Sequence, residues 1–186
     1  MSLTIIDAET QSEAAAAVFR RARDLGFRQN GDAGMGGFWV SQHVGLDTAL
    51  TTSGAITCVI IAILTIDGNG ALGHFAAEID PAEVVRGVDA MLGVLGRPPI
   101  DAVLFAAGMV GRTEEEQQGY QSAIIAGTSQ LAPGAEVTWR LMIGDDDVPD
   151  AAIFLPRSRE IALFVNLPQQ FVGRSSDDPG NGLAAY

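Results

Sequence analysis

Residues 56–79 read ITCVIIAILTIDGNGALGHFAAEI, and the way this stretch is cut decides the fold. From Ile56 to Ile66 apolar side chains fill both alternating sets of positions, which predicts a central strand buried on both faces. Asp67-Gly68-Asn69-Gly70 is a hairpin turn signal, because Gly and Asn accept the positive φ that tight turns require. Ala71 to Ile79 is then the return strand.

Upstream, Leu3 to Ile6 reads as a short strand. Thr10-Gln11-Ser12-Glu13 fits a capping box that opens a helix to about Leu25, with Gly26 as its stop. Gly31 to Gly37 holds four glycines and reads as a loop. Its Gly34-Met35-Gly36-Gly37 core does not fit the dinucleotide-binding fingerprint, and no strand–turn–helix unit surrounds it. Phe38 to Val40 is a strand.

Downstream, Asp80-Pro81 starts a helix, Asp80 as cap and Pro81 in the first turn. Val84, Val85, Val88, Met91, Leu92 and Leu95 form its apolar face and Gly96 ends it. Ala102 to Ala107 is a buried strand. Thr113 to Glu116 is a second capping box, opening a helix to about Leu131. Val137 to Ile143, Ala151 to Leu155 and Ile161 to Asn166 are late strands. The expected fold class is α+β: one layered domain over residues 1–166, with mixed, largely antiparallel sheets packed by two or three helices. Residues 167–186, rich in Pro, Gly, Ser and Asp, read as a loose tail.

Composition narrows the function. The chain has 186 residues, 47% of them hydrophobic, enough for one packed core. With 11 basic and 23 acidic residues its formal charge is -12. Phosphate neutralisation needs Lys and Arg in surplus, so nucleic acid is not an expected partner, and an anionic membrane surface is disfavoured on the same ground. No apolar run reaches membrane-spanning length, so membrane insertion is not expected. The lone cysteine excludes an internal disulfide and any zinc site built mainly on thiolates. With no signal pattern at the N-terminus, a cytoplasmic location is the expectation; a signal-less secreted effector would read the same.

Covalent chemistry, if present, runs through Cys58. A thiolate is a strong nucleophile, and a histidine within reach can generate it. The chain has two histidines, His43 and His74. His74 lies on the strand that returns from the hairpin Cys58 begins, and Thr52 carries a hydroxyl able to orient the imidazole as the third member of a triad. A structural role competes with this, because cysteine flanked by Val59, Ile60 and Ile61 is in core company. Asp145-Asp146-Asp147 with Asp150 offers oxygen ligands for a hard cation, but the calcium-loop spacing is absent and acidic turns are common. Glu114 to Glu116 sit where carboxylates favour a helix N-terminus. Trp39 and Trp139 read as packing residues.

Thr52, Cys58 and His74, in that order and spacing, resemble the Thr–Cys–His constellation of the CheD family, glutamine deamidases of chemotaxis receptors. That fold is related to the catalytic domains of deamidating toxins such as cytotoxic necrotizing factor. The flanks are similar too: Cys58-Val59-Ile60, the turn at Asp67 to Gly70, Leu72-Gly73-His74-Phe75, the helix from Glu83 to Gly96, and Val103-Leu104-Phe105-Ala106-Ala107-Gly108. The likeness spans about residues 50 to 110. It implies a hydrolase that converts a protein-borne glutamine to glutamate through a Cys58 thioester, with His74 as base, Thr52 as its support, and no metal or organic cofactor. The implied partner is a protein substrate, a chemoreceptor or another glutamine-bearing protein. The chain departs from the family in carrying Ile56-Thr57 where Gly-Ser usually precedes the nucleophile. A two-residue turn at Asp67-Gly68 would set His74 opposite Ile61, about 10 Å along the strand from Cys58; a bulge, a longer loop, or a Cys58 lying before the regular ladder would close that gap. The alternatives are a non-catalytic protein-binding module on the same fold with Cys58 in its core, and a thiol hydrolase or transglutaminase-like enzyme acting on another acyl group. His43 is the fallback base.

Overall fold

The computed structural model describes residues 2–25, 27–29, 37–41, 48–55, 58–76, 79–107, 113–142 and 150–165. The two-sided apolar run becomes strand β5 (Cys58–Thr65), flanked antiparallel by β6 (Gly70–Ala76) and β7 (Ile100–Ala107). Strand β3 (Gly37–Val40) continues the sheet antiparallel to β6, and β8 (Glu136–Leu141) continues it parallel to β7. The order is β3-β6-β5-β7-β8. A second five-stranded sheet has the order β1-β10-β9-β4-β2. It is built from β1 (Thr4–Asp7), β2 (Phe27–Gln29), β4 (Ala49–Ala55), β9 (Asp150–Leu155) and β10 (Glu160–Phe164). Its two outer pairings are parallel and its two inner ones antiparallel.

Strand parity explains the stacking, since successive side chains point to opposite faces. Val59, Ile61 and Ile63 of β5 face helices α2 (Pro81–Val94) and α3 (Glu114–Leu131), meeting Val84, Val88, Met91, Tyr120 and Ile124. Ile60, Ala62 and Leu64 point the other way, against Leu50, Phe154, Ile161 and Leu163 of the second sheet. The far face of that sheet, with Ile153, Ala162 and Phe164, is covered by Ala15, Val18, Phe19 and Ala22 of helix α1 (Ser12–Leu25). The result is four layers, α1 / sheet / sheet / α2 and α3. The expected α+β layered class holds. Each fully buried Ile, Leu or Phe in these layers contributes about 1.5–3 kcal/mol of transfer free energy, which is why the apolar runs sit at the two central strand positions.

The caps on α2 and α3 follow the sequence. Asp80 accepts from the Ala82 N–H at 2.7 Å, and Thr113 and Glu116 form a reciprocal capping box. At the start of α1 the bonds run from the Asp7 N–H to Gln11 Oε1 and from the Gln11 N–H to the Asp7 carbonyl. Strands β2 and β4 were not anticipated; β4, ALTTSGA, has too little apolar alternation to read as a buried strand. No helix among the described residues is long and apolar enough to cross a membrane. The glycine-rich segment as far as Gly36, His43, Ile56, Thr57, Gly108, Asp145 to Asp147 and the tail from residue 167 lie outside the described residues.

The hairpin takes the longer of the loops that the sequence left open. Between β5 and β6 the bond from Thr65 to Asn69 closes the turn around three residues, Ile66, Asp67 and Gly68, rather than two. The Gly68 N–H donates to the Thr65 carbonyl at 3.1 Å, and the Thr65 N–H donates to the Asn69 carbonyl at 2.9 Å. Gly68 takes φ +83°, which completes a type I turn with a left-handed residue after it. The buried Thr65 hydroxyl accepts from the Asn69 N–H at 2.9 Å and donates to Asp67. That threonine is the physical reason for the longer loop. The ladder then pairs Ile60, not Ile61, with His74.

Candidate active site

A one-residue change of register flips every side chain to the other face. Opposite Ile61, His74 would have pointed toward the helices. Opposite Ile60, it points between the sheets, on the same face as Ile60, Ala62 and Leu64. Cys58 also has even parity and packs against the interlayer cluster. Cys58 pairs with Ala76, two residues along β6 from His74. The two are therefore diagonal neighbours on one face of an antiparallel pair. Such neighbours have Cα atoms about 7–8 Å apart, within reach of aromatic side chains.

Thr52 comes from the other sheet. On β4, Leu50 and Thr52 face the interlayer, and Thr52 stands beside the small Ala152 of β9. Its Oγ1 lies 3.0 Å from His74 Nδ1. This bond crosses from one sheet to the other. Thr52 is buried at 1% exposure and His74 is half-buried with Nε2 enclosed. An imidazole in an apolar interlayer costs free energy unless its polar atoms find partners, and the Thr52 hydroxyl supplies one. If Nδ1 carries the proton and donates to Thr52 Oγ1, Nε2 presents its lone pair as a base; the bond is compatible with that tautomer.

Cys58 is outside any disulfide and half-buried. Its position at the first residue of β5 gives the thiol an apolar wall on the interlayer side and leaves it partly accessible. The structure thus brings Thr52 into hydrogen-bond contact with His74, and puts Cys58 on their face. His43 lies outside the described residues. Trp139 is a packing residue, stacked on Phe105 with ring centroids 5.6 Å apart and edge-on to Tyr120. The Asp145 to Asp147 turn is outside the described residues, and among those described no three His, Cys, Asp or Glu side chains gather as a metal site.

Reading the sequence alone missed which layer holds Thr52. The signal was present only faintly: two threonines following Ala49-Leu50, with Leu50 and Thr52 separated by one strand period. A scan against protein-family models and a search of curated proteins each find no match to this chain.

Proposed function

We propose that this protein is a cysteine-dependent amidohydrolase of the CheD-like kind, converting a protein-borne glutamine to glutamate and ammonia. The observation that carries the reading is the Thr52–His74 hydrogen bond of 3.0 Å on the face that Cys58 shares. His74 Nε2 takes the Cys58 proton. The thiolate attacks the side-chain amide carbon, forming a C–S bond and moving the carbonyl pair onto oxygen. Collapse of this intermediate breaks the C–N bond, and the nitrogen leaves as ammonia with the proton held by His74. Water then gives a proton to His74 and attacks the thioester; the C–S bond breaks and glutamate is released with the thiolate regenerated. Thr52 fixes the ring and favours the charged imidazole formed between steps. No metal or organic cofactor enters the scheme.

Ammonia release and glutamine-to-glutamate conversion on purified chemoreceptor domains and other glutamine-bearing proteins test this. The wild type should give both signals and Cys58→Ser neither. Equal signal from the two proteins contradicts the reading. One observation favours a second reading, a protein-binding module: Cys58 packs against the interlayer apolar cluster, as a core cysteine would. Thiol accessibility separates the two.

A further inference from the structure

The sheet registers set two rows of residues across the interlayer. In one sheet the row runs His74, Ile60, Ala106, Arg140, and in the other Thr52, Ala152, Leu163, Asp7. The Thr52–His74 bond ties the two rows at one end. At the other end, where edge strands β1 and β8 leave the interlayer open, lies a cavity of about 280 Å³. Three strand spacings separate His74 from Arg140, about 14 Å, so this is a site apart from Cys58.

The cavity has an apolar floor of Ile5, Met142, Leu163 and Val165 and a polar rim of Asp7, Gln11, Thr10 and Arg140. The rim is chemically asymmetric. Arg21, Arg23, Arg86, Arg97 and Arg159 are each ion-paired with a carboxylate. Arg140, in a chain with 23 acidic residues, forms no ion pair among the described residues and lines the cavity instead. Gln11 is held by its Oε1, which accepts from the Asp7 N–H at 3.3 Å, so its amide NH₂ remains a donor. Asp7 uses Oδ1 to accept from the Glu9 N–H at 3.0 Å, leaving Oδ2 as an acceptor. Arg140 comes from β8, whereas Asp7 and Gln11, bonded to each other through the Asp7 N–H and carbonyl, come from β1 and the start of α1 in the other layer. A guanidinium from one layer and a carboxylate from the other, with an amide donor beside the carboxylate, are complementary to a molecule carrying both an anionic and a cationic group.

We infer that this cavity binds a free α-amino acid with an apolar side chain. Its carboxylate meets Arg140, its ammonium meets Asp7, and its side chain lies on Met142, Leu163 and Val165. Pockets of this kind, an apolar floor with a few placed polar groups, are the usual form of small-ligand sites, and the Arg–carboxylate fork supplies the strongest single contact.

Titration calorimetry of the full chain with leucine, N-acetyl-leucine and leucinamide tests the assignment. Leucine should bind, and both derivatives, each lacking one charge, should bind at least about tenfold more weakly, as expected for loss of a charge-assisted hydrogen bond. Arg140→Ala should weaken leucine by a similar factor, with Arg140→Lys between it and the wild type; Arg140 is exposed, so these variants should keep the wild-type melting temperature without ligand. Asp7→Asn should remove the preference for leucine over N-acetyl-leucine. Cys58→Ser should bind leucine as the wild type does, which separates this site from the proposed chemistry. No heat with leucine at millimolar concentration, equal affinity for leucine and N-acetyl-leucine in the wild type, or equal leucine affinity in wild type and Arg140→Ala each overturns it.

Discussion

At the scale of single residues, Thr52 has the most to explain. It is a hydroxyl buried in an apolar interlayer, and its contact is the His74 ring at 3.0 Å. Thr52→Val keeps the shape and removes the hydroxyl. Under the proposed chemistry, turnover should fall about tenfold to a hundredfold, the worth of one hydrogen bond to a group that becomes charged. Thr52→Ser should restore most of it. If Thr52→Val costs stability but leaves turnover unchanged, Thr52 is only a structural partner. Gln117 makes the opposite case. It is 4% exposed, and both of its side-chain amide atoms are buried without hydrogen-bond partners among the described residues. An unsatisfied buried amide costs about 1–3 kcal/mol, so Gln117→Met, similar in volume, should raise the denaturation midpoint. A lowered midpoint would mean that Gln117 is satisfied by ordered water.

At the scale of elements, the β5–β6 hairpin decides whether a site exists. Its loop length sets which face His74 occupies, and Thr65, Asp67 and Asn69 set the loop length. The Asp67 carboxyl is held below the usual aspartate range, chiefly by the Thr65 hydroxyl and further by the Asn69 backbone and side chain. A carboxylate depressed in the folded state stabilises the fold fully above its unfolded value, about 3.9. The contribution is lost as the pH falls through the lower folded value. Asp67→Asn should therefore flatten the loss of stability below about pH 4, measured by urea denaturation across that range. An unchanged acid limb would show that other carboxylates govern it. Helix α2 gives a second test. Gly87 sits over the Phe75 ring, and a Cβ there would lie 2.6 Å from Phe75 Cε1, while Gly73 makes room for the same ring from the strand side. Gly87→Ala gains about 1 kcal/mol in helix propensity but overpacks a site with no slack, which costs about 1–3 kcal/mol. The variant should be less stable than the wild type; a more stable one would mean that Phe75 can move aside.

At the scale of the whole molecule, much of the architecture was legible and the assembly of the site was not. The two-sided run at Val59 to Leu64, the caps at Asp80 and Thr113, and the apolar face of α2 all carry their periods openly. Strand β4 does not. Its small and polar residues conform to no apolar pattern because it is covered by α1 on one face and by the first sheet, β3-β6-β5-β7-β8, on the other, where Ala49 and Thr52 suffice. The register was equally hidden: the sequence DGNG allows a two-residue or a three-residue loop, and the choice rests on where a buried threonine finds its hydrogen bonds. Thr52, Cys58 and His74 could be named from the chain, but only the stacking of two sheets brings a β4 side chain onto a β6 ring. At the opposite end of the strands, Arg159 in the β9–β10 turn pairs with Asp101 of β7, and so ties the same two sheets together.

The central claim is that His74, steadied by Thr52 across the interlayer, activates Cys58. The rate of Cys58 alkylation by iodoacetamide as a function of pH, in the folded wild type, His74→Ala and Thr52→Val, tests it most directly. The wild type should label well below the pKa of about 8.5 of an unperturbed thiol, and both variants should shift this profile toward that value. A thiol that labels only when the protein unfolds, or a profile identical in all three proteins, would contradict it.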